Sequence, residues 1–233
     1  MKKYTSILML LSGSTALPLA GLLLLMALVE SGLFYFSIQE DTPLDAVFQN
    51  SMISLAAGAI LLLWMAVLLI PRFARGGMTL GRLQVGPRAL YLTHALYNAL
   101  TLVILWGFQV MLLLGFAHFY GQTADPGLFG PQTTMLAFYR MDLLHGLLPL
   151  ADWVPWTRNI AYILALGFAA AYPATDRGQG LKSLLLAGAL TVAAGLTIPV
   201  KMDGNLAIAG LIGGIAVTAI FAARRPSYGG GAE

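Results

Sequence analysis

TMLAFYRMDLLHGLLPLADW, running from Thr134 to Trp153, has the apolar bulk of a membrane segment but carries Arg140, Asp142 and His145 within six residues. Whether this stretch crosses a bilayer, dips into one or lies on its surface decides the topology of the chain. The surroundings favour a membrane. The chain has 233 residues, of which 58% are hydrophobic and 10% charged, and its mean hydropathy is +0.79. Soluble domains carry roughly a quarter charged residues, which they need to solvate an outer shell. Ten acids and thirteen bases cannot cover a soluble body of this size, so the sequence reads as an all-α polytopic membrane protein.

Apolar windows of spanning length fall at 17–38, 50–70, 91–119, 159–173, 183–200 and 205–223, within a single transmembrane domain over 1–233. A span needs about 20 residues, and tilted or buried ones vary around that length. The residues before the first window, 3–13, follow Lys2 and Lys3. They read as an N-terminal interfacial helix, broken around Ser12–Gly13–Ser14 and Pro18. A cleavable signal peptide has the same opening pattern.

Charge counting places the opening stretch. If 134–152 does not cross, one side receives Lys2, Lys3, Arg72, Arg75, Arg82, Arg88, Arg177, Lys182, Arg224 and Arg225. The other side receives Arg140, Arg158 and Lys201, with the acidic loop of Glu40, Asp41 and Asp45. That is ten bases against three. A seventh crossing reduces the contrast to eight against four and leaves Arg140 in the bilayer. Because cytoplasmic loops concentrate Lys and Arg, six spans are expected, with both termini cytoplasmic. Residues 134–152 then form an outer-side re-entrant or interfacial helix. The net charge of +3 reports orientation, and no nucleic-acid partner is expected from it.

Chemistry-bearing residues are few. The third window carries His94, Asn98, Thr101 and Gln109 near one helical face, with Leu105 between them. Amides and imidazoles in hydrocarbon need partners, so this face should point into the protein, as helix-to-helix hydrogen bonding or as the lining of a substrate path. Glu30 sits inside the first window, where a carboxylate is costly unless protonated or paired; Arg140 and Arg158 are candidate partners. Asp142 and His145 are three apart and share a helix face. With His118 they make a candidate outer-face cluster, too sparse in ligands for a metal site. Gly210, Gly214 and Thr218, and separately Gly195 with Ser183, Ala187 and Thr191, repeat small residues at four-residue spacing. Such faces pack helices, within one chain or between two copies.

Enzyme signatures are missing from the sequence. "DRGQGLKS" has Leu181 where a phosphate-binding loop needs glycine before Lys182, and no HExxH or nucleophile elbow occurs. With no cysteine, thiolate chemistry is excluded. The chain is not expected to bind a cofactor directly. The basic loop 71–90, "PRFARGGMTLGRLQVGPRAL", can form a short helix capped by Thr79 and ended by Gly86, with Pro87 opening the next helix.

The "MTLGRLQVGPRALYLTHALYNAL" run and the "LAFYRMDLLHGLLPL" segment resemble small permease-like subunits of Gram-positive bacteria that work with separate ATP-binding-cassette ATPases. The similarity covers residues 78–150. It implies six spans, association with another permease subunit in a homo- or hetero-oligomer, and a coupling helix near Leu80–Val85. That helix would contact the cytosolic ATPase through Thr79, Leu80, Arg82 and Leu83. ATP and Mg would then be bound by the partner, in a bacterial cytoplasmic membrane. The implied function is a permease-like transporter subunit, with Glu30, His94, Asn98, Gln109, Arg140, Asp142 and His145 as candidates for the substrate path. Two other readings fit the residues: a membrane-embedded enzyme acting at the outer face through Asp142 and His145, or a non-transporting membrane scaffold.

Overall fold

The computed structural model describes residues 2–38, 44–48, 51–69, 86–123, 131–149, 153–175 and 188–189. The windows at 183–200 and 205–223, with their glycine stripes, lie outside the described residues apart from 188–189, and so does the expected coupling helix. Everything regular in the described part is helical. The elements are α1 (Lys2–Ser37), α2 (Leu44–Phe48), α3 (Ser51–Leu69), α4 (Pro87–Thr123), α5 (Pro131–Arg140), α6 (Asp142–Leu147) and α7 (Trp153–Thr175). Among the described residues, three helices are long and apolar enough to cross a membrane, over Thr5–Ser37, Met52–Leu69 and Ala89–Gln122.

The expected break near Pro18 does not occur. Helix α1 runs unbroken through Ser12, Gly13, Ser14 and Pro18, about 54 Å at 1.5 Å per residue. Proline removes one backbone donor and disfavours a helix interior, but packing on the amino side of Pro18 holds the helix together. Ile7 and Leu11 are buried with Leu90 of α4, and the Thr15 hydroxyl bonds the Tyr97 hydroxyl. Ser14 and Thr15 also bond back to the Leu11 carbonyl, at 2.9 and 2.8 Å, a pattern that polar side chains adopt in apolar helices. Residues 3–13 therefore belong to the bundle and are not a separate interfacial helix.

Three contacts fix how α1 and α4 run. Thr15 meets Tyr97, Glu30 meets Gln109, and Phe34 stacks on Phe116 with ring centroids 4.7 Å apart. Both sequences ascend together, so the two helices are parallel. Helix α3 is antiparallel to them, with Ile53 in the cluster around Leu113 and Leu68 in the cluster around Tyr91. Helix α7 is antiparallel to α4 as well: Trp156 meets Trp106, and Phe168 meets Tyr91. We call the end with Ile7 and Leu90 the lower end and the end with Phe34 and Phe116 the upper end.

Among the described helices, α4 and α7 share the most extensive contact. Its centre is Gly167, where a Cβ would stand 2.8 Å from the Ala95 carbonyl oxygen and 2.9 Å from the Ala99 backbone nitrogen. Small residues spaced four apart on α4 and a glycine on α7 allow this approach, which is how helices associate when lipid supplies no hydrophobic drive. Helix α4 begins at Pro87, as the sequence implies, with Leu90 N–H bonding the Gly86 carbonyl at 3.1 Å.

Candidate functional site

The opening stretch is not one helix. It forms α5 and α6, separated by Met141, whose φ of −78° and ψ of 104° are extended. Helix α5 lies beside α2 and exposes Met135, Leu136 and Tyr139. Helix α6 turns inward. Its Leu143, Leu144 and Leu147 are buried with Phe34, Ile53, Leu113 and Ala117 in the upper core. The charges take separate places: Arg140 is exposed in the last turn of α5, whereas His145 is half-buried, its ring 6.0 Å from that of Tyr139. Asp142 is the first residue of α6.

Helix α6 ends deep in the bundle. The Trp106 indole, near the middle of α4, donates to the Leu147 carbonyl at 3.2 Å. A helix end leaves carbonyls that need donors, and here side chains supply them. The Asn159 amide donates to the Gly146 carbonyl at 2.7 Å, and Arg158 Nη2 approaches the same oxygen at 3.5 Å. Arg158 Nε and Nη2 also donate to Asn159 Oδ1, at 3.2 and 3.1 Å. A cation suits this position, since a helix carries partial negative charge at its carboxyl end. Arg158 is only 2% exposed and Asn159 only 3%. Trp156 closes the junction by meeting Trp106 edge to face at 5.5 Å. Helices α6 and α7 thus form one path down the bundle, broken at mid-depth and sealed by side chains.

A cavity of about 100 Å³ lies against this break. Leu143 and Leu147 of α6, Asn159 and Tyr162 of α7, Trp106 and Gln109 of α4, and Met26 of α1 contribute to its wall. On the other side of Trp106 and Asn159 is a groove of about 350 Å³ between α4 and α7, bounded by Leu100, Val103 and Ile160. Those three side chains are themselves exposed. Trp106, Asn159 and Ile163 line both spaces, so they form the partition between the surface groove and the central cavity.

Glu30 and Gln109 come together behind the cavity. Gln109 Nε2 donates to Glu30 Oε2 at 2.8 Å, and both side chains are buried. The partner of Glu30 is thus an amide, where Arg140 and Arg158 were the candidates from the sequence. The rest of the α4 stripe is buried too: His94, Asn98, Thr101 and Leu105 all face inward. Thr101 accepts from the Trp64 indole at 3.1 Å and donates to the Asn98 carbonyl at 2.8 Å. One part of the stripe is therefore interhelical hydrogen bonding, and another part, Gln109, reaches the cavity.

His118 is exposed on α4 and bonded to Gln122 at 3.1 Å. Among the described residues no group of three His, Asp or Glu side chains is placed to hold a metal. Thr79, Leu80, Arg82, Leu83, Gly195, Gly210, Gly214 and Thr218 lie outside the described residues. Trp106, Asn159 and Gly167 were not singled out from the sequence, and Arg158 entered as a loop base and as a candidate partner for Glu30. The run "WTRNIAYILALG" holds the clue to two of them: an Arg-Asn pair heading an apolar helix must bond something inside it.

Comparison with protein-family models, with curated proteins and with solved structures finds no match.

Proposed function

We propose that this chain is a permease-like subunit of a transporter in a bacterial cytoplasmic membrane, driven by a separate cytosolic ATP-binding-cassette ATPase. The observation that carries the reading is the cavity at the α6–α7 break. Irregular backbone at membrane depth is tolerated where protein buries it or where it lines a cavity, and transport proteins place solute sites beside such discontinuous helices. The surface groove behind Trp106 and Asn159 gives a route to that site from between α4 and α7. The cavity wall is almost entirely apolar, with amides at Gln109 and Asn159, which suits an apolar or amphipathic solute.

The lower end is the cytoplasmic one in this reading. Lys2 and Arg88 belong to the helices that begin there, and Arg72, Arg75 and Arg82 lie in the connection between α3 and α4, whose joined ends are both at the lower end. Such clustering of bases follows the positive-inside rule. The same connection holds Thr79, Leu80, Arg82 and Leu83, the proposed contacts with the ATPase, which binds ATP and Mg. The full set of six spans and an oligomer with another permease subunit complete the assembly.

Affinity purification of the chain from its native membrane tests the reading. An ATP-binding-cassette ATPase should co-purify, and Leu83→Asp should release it. Retention of the ATPase by Leu83→Asp would overturn the docking site, and its absence from the wild-type complex would overturn the transporter reading.

A further inference from the structure

We propose that the central cavity, where Gln109 in the wall is backed by the buried Glu30, binds a primary ammonium group carried on a short apolar chain. This names the class of solute for the transport reading above, and rests on that reading only for the solute's passage across the membrane.

The starting point is a mismatch of donors and acceptors. Gln109 Nε2 donates to Glu30 Oε2 at 2.8 Å, and this bond sets the two side chains next to each other. Glu30 is fully buried, at 0% exposure, and Gln109 is 5% exposed. Yet Glu30 Oε1 and Gln109 Oε1 are both buried with no hydrogen-bond partner. With Glu30 ionised, turning the amide over would set Gln109 oxygen against Glu30 oxygen and leave the count no better. Two adjacent acceptors without a protein donor are costly in an interior where polar groups are otherwise paired.

The cavity supplies the rest of the argument. Gln109 is part of its wall, and Met26, one turn before Glu30 on α1, is another part. Leu102 and Leu105 extend the wall with apolar surface. A matching ligand therefore needs at least two donors at one end and an apolar body at the other. A hydroxyl offers one donor, while carboxylates and phosphates offer none. An ammonium offers three donors, requires no acceptor, and carries the charge opposite to a carboxylate. Trp106 and Tyr162 also stand in the wall, and aromatic rings favour a neighbouring cation. The volume, about 100 Å³, is below the roughly 150 Å³ that admits benzene, so the enclosed part of the chain is a few carbons long. A free amine and the headgroup of phosphatidylethanolamine present the same ammonium chemistry.

The full chain, purified into phosphatidylcholine nanodiscs, is titrated with n-butylammonium chloride while tryptophan fluorescence and thermal unfolding are followed. Trp106 in the cavity wall is the reporter. A saturable response is expected for n-butylammonium, and none at matched n-butanol or sodium chloride. Glu30→Gln should weaken the response about tenfold or more, the range set by a charge-assisted hydrogen bond, and Gln109→Leu should weaken it by less. If Glu30→Gln does not accumulate, Leu102→Phe, which fills the cavity without altering the polar pair, should abolish saturation. Competition by added phosphatidylethanolamine would assign the ammonium to lipid, and no competition would assign it to a free amine. An equal response to n-butanol, an unchanged affinity in Glu30→Gln, or no saturable response would overturn the proposal, the last leaving water to serve both acceptors. No ATPase enters this titration, so its failure leaves the docking experiment standing, and failure of docking leaves the binding result standing.

Discussion

The lower and upper halves of the α4–α7 pair are built in opposite ways. Below, Gly167 brings α7 against the backbone of α4 at Ala95 and Ala99, and Tyr91 pins the pair by donating to the Phe168 carbonyl at 3.2 Å. Above, α7 begins only at Trp153, and α6 fills the remaining depth, meeting α4 through leucines and the Trp106 indole. The lower half has backbone-to-backbone contact at Gly167. The upper half has a break, a cavity and bonds made by side chains. Packed backbones resist displacement because every neighbour must move, whereas side-chain bonds exchange partners readily. The difference teaches how the pair is held: by packed backbones at the lower crossing and by side-chain bonds where α6 meets the head of α7.

That contrast breaks most sharply at Gly167. Gly167→Ala drives a Cβ into the Ala95 carbonyl and the Ala99 nitrogen, atoms that cannot rotate away. A loss of about 3 kcal/mol, the upper range for overpacking, is expected from thermal unfolding in detergent, and Gly167→Leu should prevent accumulation of folded protein. A Gly167→Ala protein with unchanged stability would contradict the close crossing. The side-chain seal is next in size. Asn159→Leu removes the donor to the Gly146 carbonyl and the acceptor of Arg158, at a cost of about 1–3 kcal/mol for buried groups left without that partner. It should also raise the proteolytic susceptibility of 141–152 selectively, and uniform protection would contradict its role at the break. The smallest effects are expected away from the break, where α4 meets α3 and α1. Trp64→Phe removes the bond to Thr101, and Tyr97→Phe removes the bond to Thr15. Interhelical bonds of this kind average about 0.6 kcal/mol in membrane proteins, so a melting temperature close to wild type is expected for each.

Much of this architecture is legible in the residues, and the exceptions have physical causes. The inward face of α4 follows from His94, Asn98, Thr101 and Gln109, because the spacing of polar residues in an apolar helix allows only one buried side. The start of α4 follows from Gly86–Pro87. Pro18 misleads, because local propensity signals a break while Ile7, Leu11 and Thr15, at a distance invisible in sequence, hold the helix together. The partner of Glu30 is likewise non-local: nothing in the first window marks Gln109 over Arg140 or Arg158. The end of α6 after Leu147 has a signal in Pro149, but its depth depends on Trp106 and Asn159 reaching the carbonyls of α6.

The central claim is that the chain enters the bundle at α6 from the upper end and reaches the lower end only through α7. Because the protein has no cysteine, single-cysteine labelling with a membrane-impermeant maleimide tests this directly on intact cells and inverted vesicles. Ser6→Cys, exposed near the lower end of α1, marks one side, and Leu136→Cys, exposed on α5, marks the other. Ala151→Cys, two residues before α7, is expected to label from the Leu136→Cys side alone. Labelling of Ala151→Cys from the Ser6→Cys side would mean that 134–152 crosses by itself, and would contradict the account.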